Sequence, residues 1–264
     1  MSVDSSKRFS NRVGDYVKYR PGYPAEIIPF LEKEIGLNSK WVVADIGSGT
    51  GKSAELFLKS GNTVYGIEPN DEMRNVAEEF LSPFKKGESH DLSEQGDFIS
   101  LNGTAENTTL PDQSIDVVVA AQAFHWFDKG KTKQEFQRIL KSSGWIVLLW
   151  NDRKFTNHPF AIEYEEFLLK YGTDYKKVNH RQVDDKALIS FFEKKFNQRA
   201  FYNFQQFDFD GLKGRLTSSS YVPARGERGF DEMIDALELL FQKHQQKGKV
   251  LMEYDTRVFY GRVR

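Results

Sequence analysis

Apolar and polar positions follow two periods along this chain, and the switches between them mark its elements. Ile27, Ile28, Leu31 and Ile35 recur at helical spacing, so Ala25–Ile35 reads as an amphipathic helix. Trp41–Ile46 is a short apolar run and Lys52–Lys59 is amphipathic, which outlines a strand and a helix beginning near Gly51. Thr63–Glu68 reads as the second strand, with a helix over Asp71–Leu81. Phe84–Gln95 is charged and turn-rich, as a surface loop is. Phe98–Asn102 is the third strand. Ile115–Ala121 is the fourth, nearly continuously apolar, as a strand buried on both faces should be. Lys131–Leu140 predicts a helix and Gly144–Trp150 the fifth strand. Strands alternating with helices imply an α/β protein with a parallel, doubly wound sheet.

The pattern changes after Asn151. Helices fit Phe160–Tyr171, Asp184–Phe196 and Arg228–Gln246, and period-two alternation fits Arg199–Asp208 and Tyr254–Val263. The expected organisation is a single domain in four parts. Residues 1–24 form an arm carrying Tyr16, Tyr19, Arg20 and Tyr23, separated from the first helix by Pro21 and Pro24. Residues 25–151 form the core, 152–225 a cap-like insertion with the sixth strand, and 226–264 the last helix and last strand.

Composition narrows the function classes. The chain has 264 residues, 37 Lys and Arg against 38 Asp and Glu, and a net charge of −1. That balance builds no basic field, so no nucleic-acid partner is expected. Cysteine is absent, which excludes thiolate metal sites and cysteine nucleophiles. His90, His125, His158, His180 and His244 show no metal-ligand spacing, and no metal is expected. No apolar signal core or membrane-length run is found, so the expectation is a cytoplasmic protein without a membrane partner.

The chemistry concentrates where the first strand ends, in Asp45-Ile46-Gly47-Ser48-Gly49-Thr50-Gly51. Alternating glycines let a turn lie flush against a ligand, with a helix N-terminus aimed at the site. A P-loop would need glycine at position 46, where Ile46 stands. The dinucleotide pattern fits only in its alanine-ended variant, counted from Gly49 to Ala54. Asp45 opposes both polyphosphates. It suits S-adenosylmethionine, which carries a sulfonium and an ammonium and no phosphate. Glu68, at the end of the second strand, is placed to accept from ribose hydroxyls with either adenosine cofactor.

Four segments in order resemble the class I S-adenosylmethionine-dependent methyltransferases, in the small-molecule branch of trans-aconitate and ubiquinone/menaquinone-type enzymes. They are Asp45–Gly51, the strand ending in Glu68, Gly103–Glu106 with Leu110-Pro111-Asp112, and Ile115–Asp128. Tyr19-Arg20-Pro21-Gly22-Tyr23-Pro24 and Ser218–Pro223 add to the likeness. The resemblance implies a Rossmann-like fold of seven strands with the last antiparallel, and S-adenosyl-L-methionine as cofactor. It implies that Gly47, Gly49 and Gly51 face the methionine and ribose, that Asp45 orients the ammonium, and that Glu68 holds the ribose. Pro69 would lie beside the adenine, and Thr104, Ala105 and Glu106 would border it. Many relatives have Asp where Thr104 stands. Gln122, Ala123 and Phe124 would line the methionine side, and Tyr16, Tyr19, Arg20 and Tyr23 would close over the site.

In-line methyl transfer needs orientation and exclusion of water more than a covalent nucleophile. His125, beside Trp126, is the candidate base for an acceptor that must lose a proton; the competing role is packing. Trp126 and Tyr221 are candidate pocket walls. Arg20, Arg153 and Arg225 are candidates to grip an anionic small-molecule methyl acceptor. The alternatives are an NAD-dependent oxidoreductase, a non-catalytic S-adenosylmethionine-binding protein, and a methyltransferase with a macromolecular acceptor.

Overall fold

A computed structural model describes residues 18–85, 96–156, 158–173, 175, 185–193 and 195–263. Seven strands form one sheet: β1 (Val42–Ile46), β2 (Thr63–Ile67), β3 (Phe98–Leu101), β4 (Ile115–Ala121), β5 (Leu140–Arg153), β6 (Phe196–Phe207) and β7 (Val250–Gly261). Their spatial order is β3-β2-β1-β4-β5-β7-β6. The pairs among β3, β2, β1, β4 and β5 are parallel, and β7 runs antiparallel to both its neighbours, β5 and β6. This is the Rossmann-like doubly wound sheet expected from the alternation of elements. Strand order reverses beside β1, between β1 and β4, which opens a crevice at their carboxyl ends.

Period-two side-chain alternation sorts the strands onto two cores. Ala44, Ile46, Val118, Ala120, Ile146, Leu148 and Trp150 join Phe136 and Ile139 of helix α4 (Lys129–Ile139) and Phe191 of α6 (Asp185–Phe191). Val43, Val117, Val119, Val147 and Leu149 pack instead on α1 (Ile27–Ile35), α2 (Lys52–Leu58) and Ala77 of α3 (Asp71–Phe80). A third cluster binds α5 (Pro159–Tyr171), α7 (Phe209–Thr217) and α8 (Phe230–His244) to the first half of β7. Local capping chemistry sets the helix starts. Asn70 accepts from Met73 N at 2.9 Å, and Asp128 accepts from Gly130 N and Lys131 N, each at 3.1 Å.

Several boundaries differ from the sequence expectation. The Asp128 cap starts α4 two residues earlier than expected, and the chain passes directly from Ile139 into β5. The predicted helix over Asp184–Phe196 stops at Phe191, because Glu193 turns into the left-handed region at φ 52° and Phe196 enters β6. β7 begins at Val250, where pairing with Phe207 recruits residues without strong alternation. Helix α7 was not expected, because Gly211 and Gly214 interrupt its helical pattern. Gly214 has a tertiary reason: a Cβ there would lie 2.1 Å from the Tyr19 ring. The loop expected over Phe84–Gln95 lies largely outside the described residues, as does Tyr16.

Trp150 is 2% exposed and meets Phe124 and Phe259 edge-on. Trp150→Ala is expected to lower unfolding stability by roughly 3–5 kcal/mol through the cavity left behind. The shift of the urea midpoint at unchanged slope measures it, and a loss below about 1 kcal/mol would contradict this packing.

Candidate functional site

The turn after β1 uses its three glycines for three different reasons. All take positive φ: 66° at Gly47, 54° at Gly49 and 82° at Gly51. A Cβ on Gly47 would meet Ala123 Cβ at 2.7 Å, and one on Gly51 would meet Leu81 Cδ1 at 2.6 Å. Gly49 alone has nothing within 4 Å, so its backbone faces open space where a ligand can approach. Glu68 fixes this turn. Its Oε2 accepts from Gly49 N at 3.1 Å and its Oε1 from Asn70 N at 3.0 Å. Burial, the largest effect, pushes the Glu68 carboxyl above its ordinary value against these two bonds.

The cleft over the turn divides into two chambers that share Gly47, Gly49, Ala121, Gln122 and Trp126. The first is bordered by Glu68, Pro69, Met73, Thr104, Ala105, Glu106, Ala123 and Phe127. It contains two carboxylates, and no lysine or arginine among the described residues. The Thr104 hydroxyl is turned into its own loop, accepting from Glu106 N at 3.3 Å and Asn107 N at 3.2 Å. Glu106 Oε1 accepts from Asp128 N at 2.8 Å, which ties the loop after β3 to the start of α4. Gln122 takes φ 57°, an uncommon conformation for a side-chain-bearing residue. Gln122 N donates to Leu149 O at 2.9 Å and holds the end of β4 over the chambers.

The second chamber has the opposite charge. Arg20, Lys52, Arg153 and Arg215 line it against one carboxylate, Asp152, which lies 3.4 Å from Arg257. His125, Trp126, Tyr23, Tyr175, Tyr221 and Tyr254 complete its walls. Arg153 is paired with Glu165 and donates to the Tyr175 hydroxyl at 3.2 Å. Burial would raise the Tyr221 phenol, but Arg215, Arg20 and Arg153 together pull it below its ordinary value.

The expected site residues separate into those the fold brings together and those it does not. Gly47, Gly49, Glu68, Pro69, Thr104, Ala105, Glu106, Gln122 and Ala123 meet around the first chamber. Arg20, Tyr23, His125, Trp126, Arg153 and Tyr221 meet around the second. His125 is exposed, its ring 4.7 Å from that of Trp126. Asp45 lines neither chamber. It is fully buried beneath the turn, where Ser53 Oγ donates to its Oδ2 at 2.6 Å. Gly51 packs on Leu81, and Phe124 lies in the core between Trp150 and Phe191. The Tyr19 ring covers Gly214, and Arg225 is exposed outside both chambers. Arg215, Tyr175 and Tyr254 were not anticipated. Arg215 lies on the unexpected helix α7, Tyr175 just beyond α5 and Tyr254 on β7, and only their tertiary packing brings them to the cleft.

A protein-family model described as a methyltransferase domain matches residues 44–148. The chain is 34% identical over 150 residues to an uncharacterised methyltransferase of Mycobacterium tuberculosis (strain H37Rv), covering 57% of this chain and 54% of that protein. It is 30% identical over 169 residues to an uncharacterised methyltransferase-like protein of Schizosaccharomyces pombe, covering 64% and 60%. The chain thus matches little more than half the length of these curated relatives. A solved structure of a proposed type II methyltransferase from Anaeromyxobacter dehalogenans shares the fold, with a TM-score of 0.60 and 18% identity over 93% of this chain and 98% of that one. Among the described residues no helix is long and apolar enough to cross a membrane.

Burial raises the Asp45 carboxyl from its ordinary 3.8 to about 7, against the Ser53 hydrogen bond. The folded chain therefore keeps a proton that the unfolded chain releases, and stability falls as pH rises from 3.8 to about 7. Asp45→Asn keeps an acceptor for Ser53 and cannot ionise. Its Tm is expected to rise relative to the wild type across that window in the ligand-free protein. A difference that stays constant with pH would show that Asp45 does not titrate there.

Proposed function

We propose, from the methyltransferase-domain match over residues 44–148, that this chain is a class I S-adenosylmethionine-dependent methyltransferase that methylates a small, anionic acceptor rather than a nucleic acid. The observation that carries the reading is the division of charge across one cleft among the described residues: two carboxylates and no cation on one side, four cations and one carboxylate on the other. A pyrophosphate would find no positive partner in the first chamber, whereas a ribose and a cationic methionine suit its acids.

In this reading Gly47, Gly49 and Glu68 cradle the ribose and methionine, Pro69 and Thr104–Glu106 border the adenine, and Gln122 and Ala123 line the methionine side. Bound cofactor supplies a methyl group activated by a positive sulfur. The protein's own tasks are alignment and water exclusion. Glu68 accepts from backbone on both oxygens and retains lone pairs for two hydroxyls. The shared wall of Gly47, Gln122 and Trp126 marks where cofactor and acceptor would meet. Asp45 supports the loop from beneath, through its hydrogen bond from Ser53. Arg20 and Tyr23 from the arm, with Arg153, Tyr175, Arg215 and Tyr221, form the acceptor side. His125 is the base if the acceptor is a hydroxyl, amine or carbon acid; a carboxylate requires none.

Calorimetry with S-adenosylhomocysteine and with NAD tests the cofactor assignment. Heat is expected from the first and none from the second, and the opposite result reverses the reading. Glu68→Gln is expected to weaken S-adenosylhomocysteine about tenfold, the value of one hydrogen bond to a charged group. Unchanged affinity would release Glu68 from the ribose role. With an acceptor in hand, full turnover by His125→Ala would remove the base.

A further inference from the structure

The acceptor-side chamber holds a charge that its described protein neighbours leave without an opposite. Arg215, on α7, is buried at 8% exposure. Its Nη1 donates to Ser219 Oγ at 3.2 Å, and its buried Nε has no hydrogen-bond partner. Its other neighbours are phenols, those of Tyr254, which also hydrogen-bonds it, Tyr221 and Tyr164, and no carboxylate is in ion-pair reach among the described residues. Arg153 differs, since Glu165 neutralises it. Arg20 Nη2 approaches the same Ser219 Oγ at 3.4 Å and the Ser218 carbonyl at 3.1 Å. Two guanidiniums thus converge on one hydroxyl, which accepts from both. Withdrawing a cation from water is costly unless an anion answers it. This cation faces the chamber, where an incoming anion can supply that answer. The guanidinium fork matches the two oxygens of a carboxylate.

We propose that Arg215 is the specificity-determining residue of the acceptor side and anchors a carboxylate of the methyl acceptor at the Ser219 hub it shares with Arg20. This rests on the methyltransferase reading above. The cofactor's methionine also carries a carboxylate, so the test must separate the two sources.

The wild-type protein saturated with S-adenosylhomocysteine is titrated with two matched pairs: succinate against succinamide, and phenylacetate against phenylacetamide. In at least one pair the acid is expected to bind at least about tenfold tighter than its amide, the margin of one charge-assisted hydrogen bond. Arg215→Gln is expected to abolish that preference while S-adenosylhomocysteine affinity changes by less than about threefold. If neither acid is preferred by the wild type, the proposal fails without recourse to any variant, and the cofactor reading stands. An equal loss of S-adenosylhomocysteine affinity in Arg215→Gln assigns the cation to the cofactor and also overturns it. A wild-type protein that binds no S-adenosylhomocysteine removes the reading beneath, and the first titration of the series reveals that outcome.

Discussion

Glu68 is the tie on which the cleft depends. It stands one residue past β2, and its two oxygens take the backbone N–H groups of Gly49 on one side and Asn70 on the other. The first bond holds the turn after β1 in its left-handed course. The second sets the residue that caps α3, since the Asn70 side chain accepts from Met73 N. One carboxylate therefore aligns the two helix starts that face the crevice. Burial makes its charge costly, and the two amides offset that cost with hydrogen bonds aimed at the ionised form.

The sheet accounts for the rest of the arrangement. The parallel strands β1 and β4 end at the same edge, so the glycine turn and the Gln122–Trp126 segment meet there. Crowding at Gly47 is part of that meeting, because Ala123 occupies the place of a side chain. β7 then brings Tyr254 alongside, and α7, the end of β5 and the arm add Arg215, Arg153 and Arg20. The acidic chamber is built from the first half of the chain. The basic chamber draws its arginines from the arm, the end of β5 and α7. A chain with net charge −1 thus separates its charge locally across one groove.

Much of the core was legible because its determinants are local. The strands β1, β2 and β4 announce themselves by apolar runs, and Asp45–Gly51 by spacing. Glu68, Ala105 and Gln122 followed from the same motifs. Asp45 shows the limit of such reading. The sequence places an acid at the end of a strand, but strand direction and the packing of Ser53 decide that it is buried under the turn and lines neither chamber. Phe124 is similar: its segment borders the cleft, while its own ring turns into the core.

By itself the sequence determined the alternation of elements, the glycine turn and the acids that accompany it. These depend on period, Cβ-free positions and short-range hydrogen bonds. Only the tertiary structure decided that Arg215 faces the cleft, that Tyr19 covers Gly214 and that Arg225 lies outside. Those placements depend on contacts between residues as much as 195 positions apart, such as Tyr19 with Gly214. A side chain's solvent and electrostatic partners are fixed by such contacts, and no local pattern encodes them.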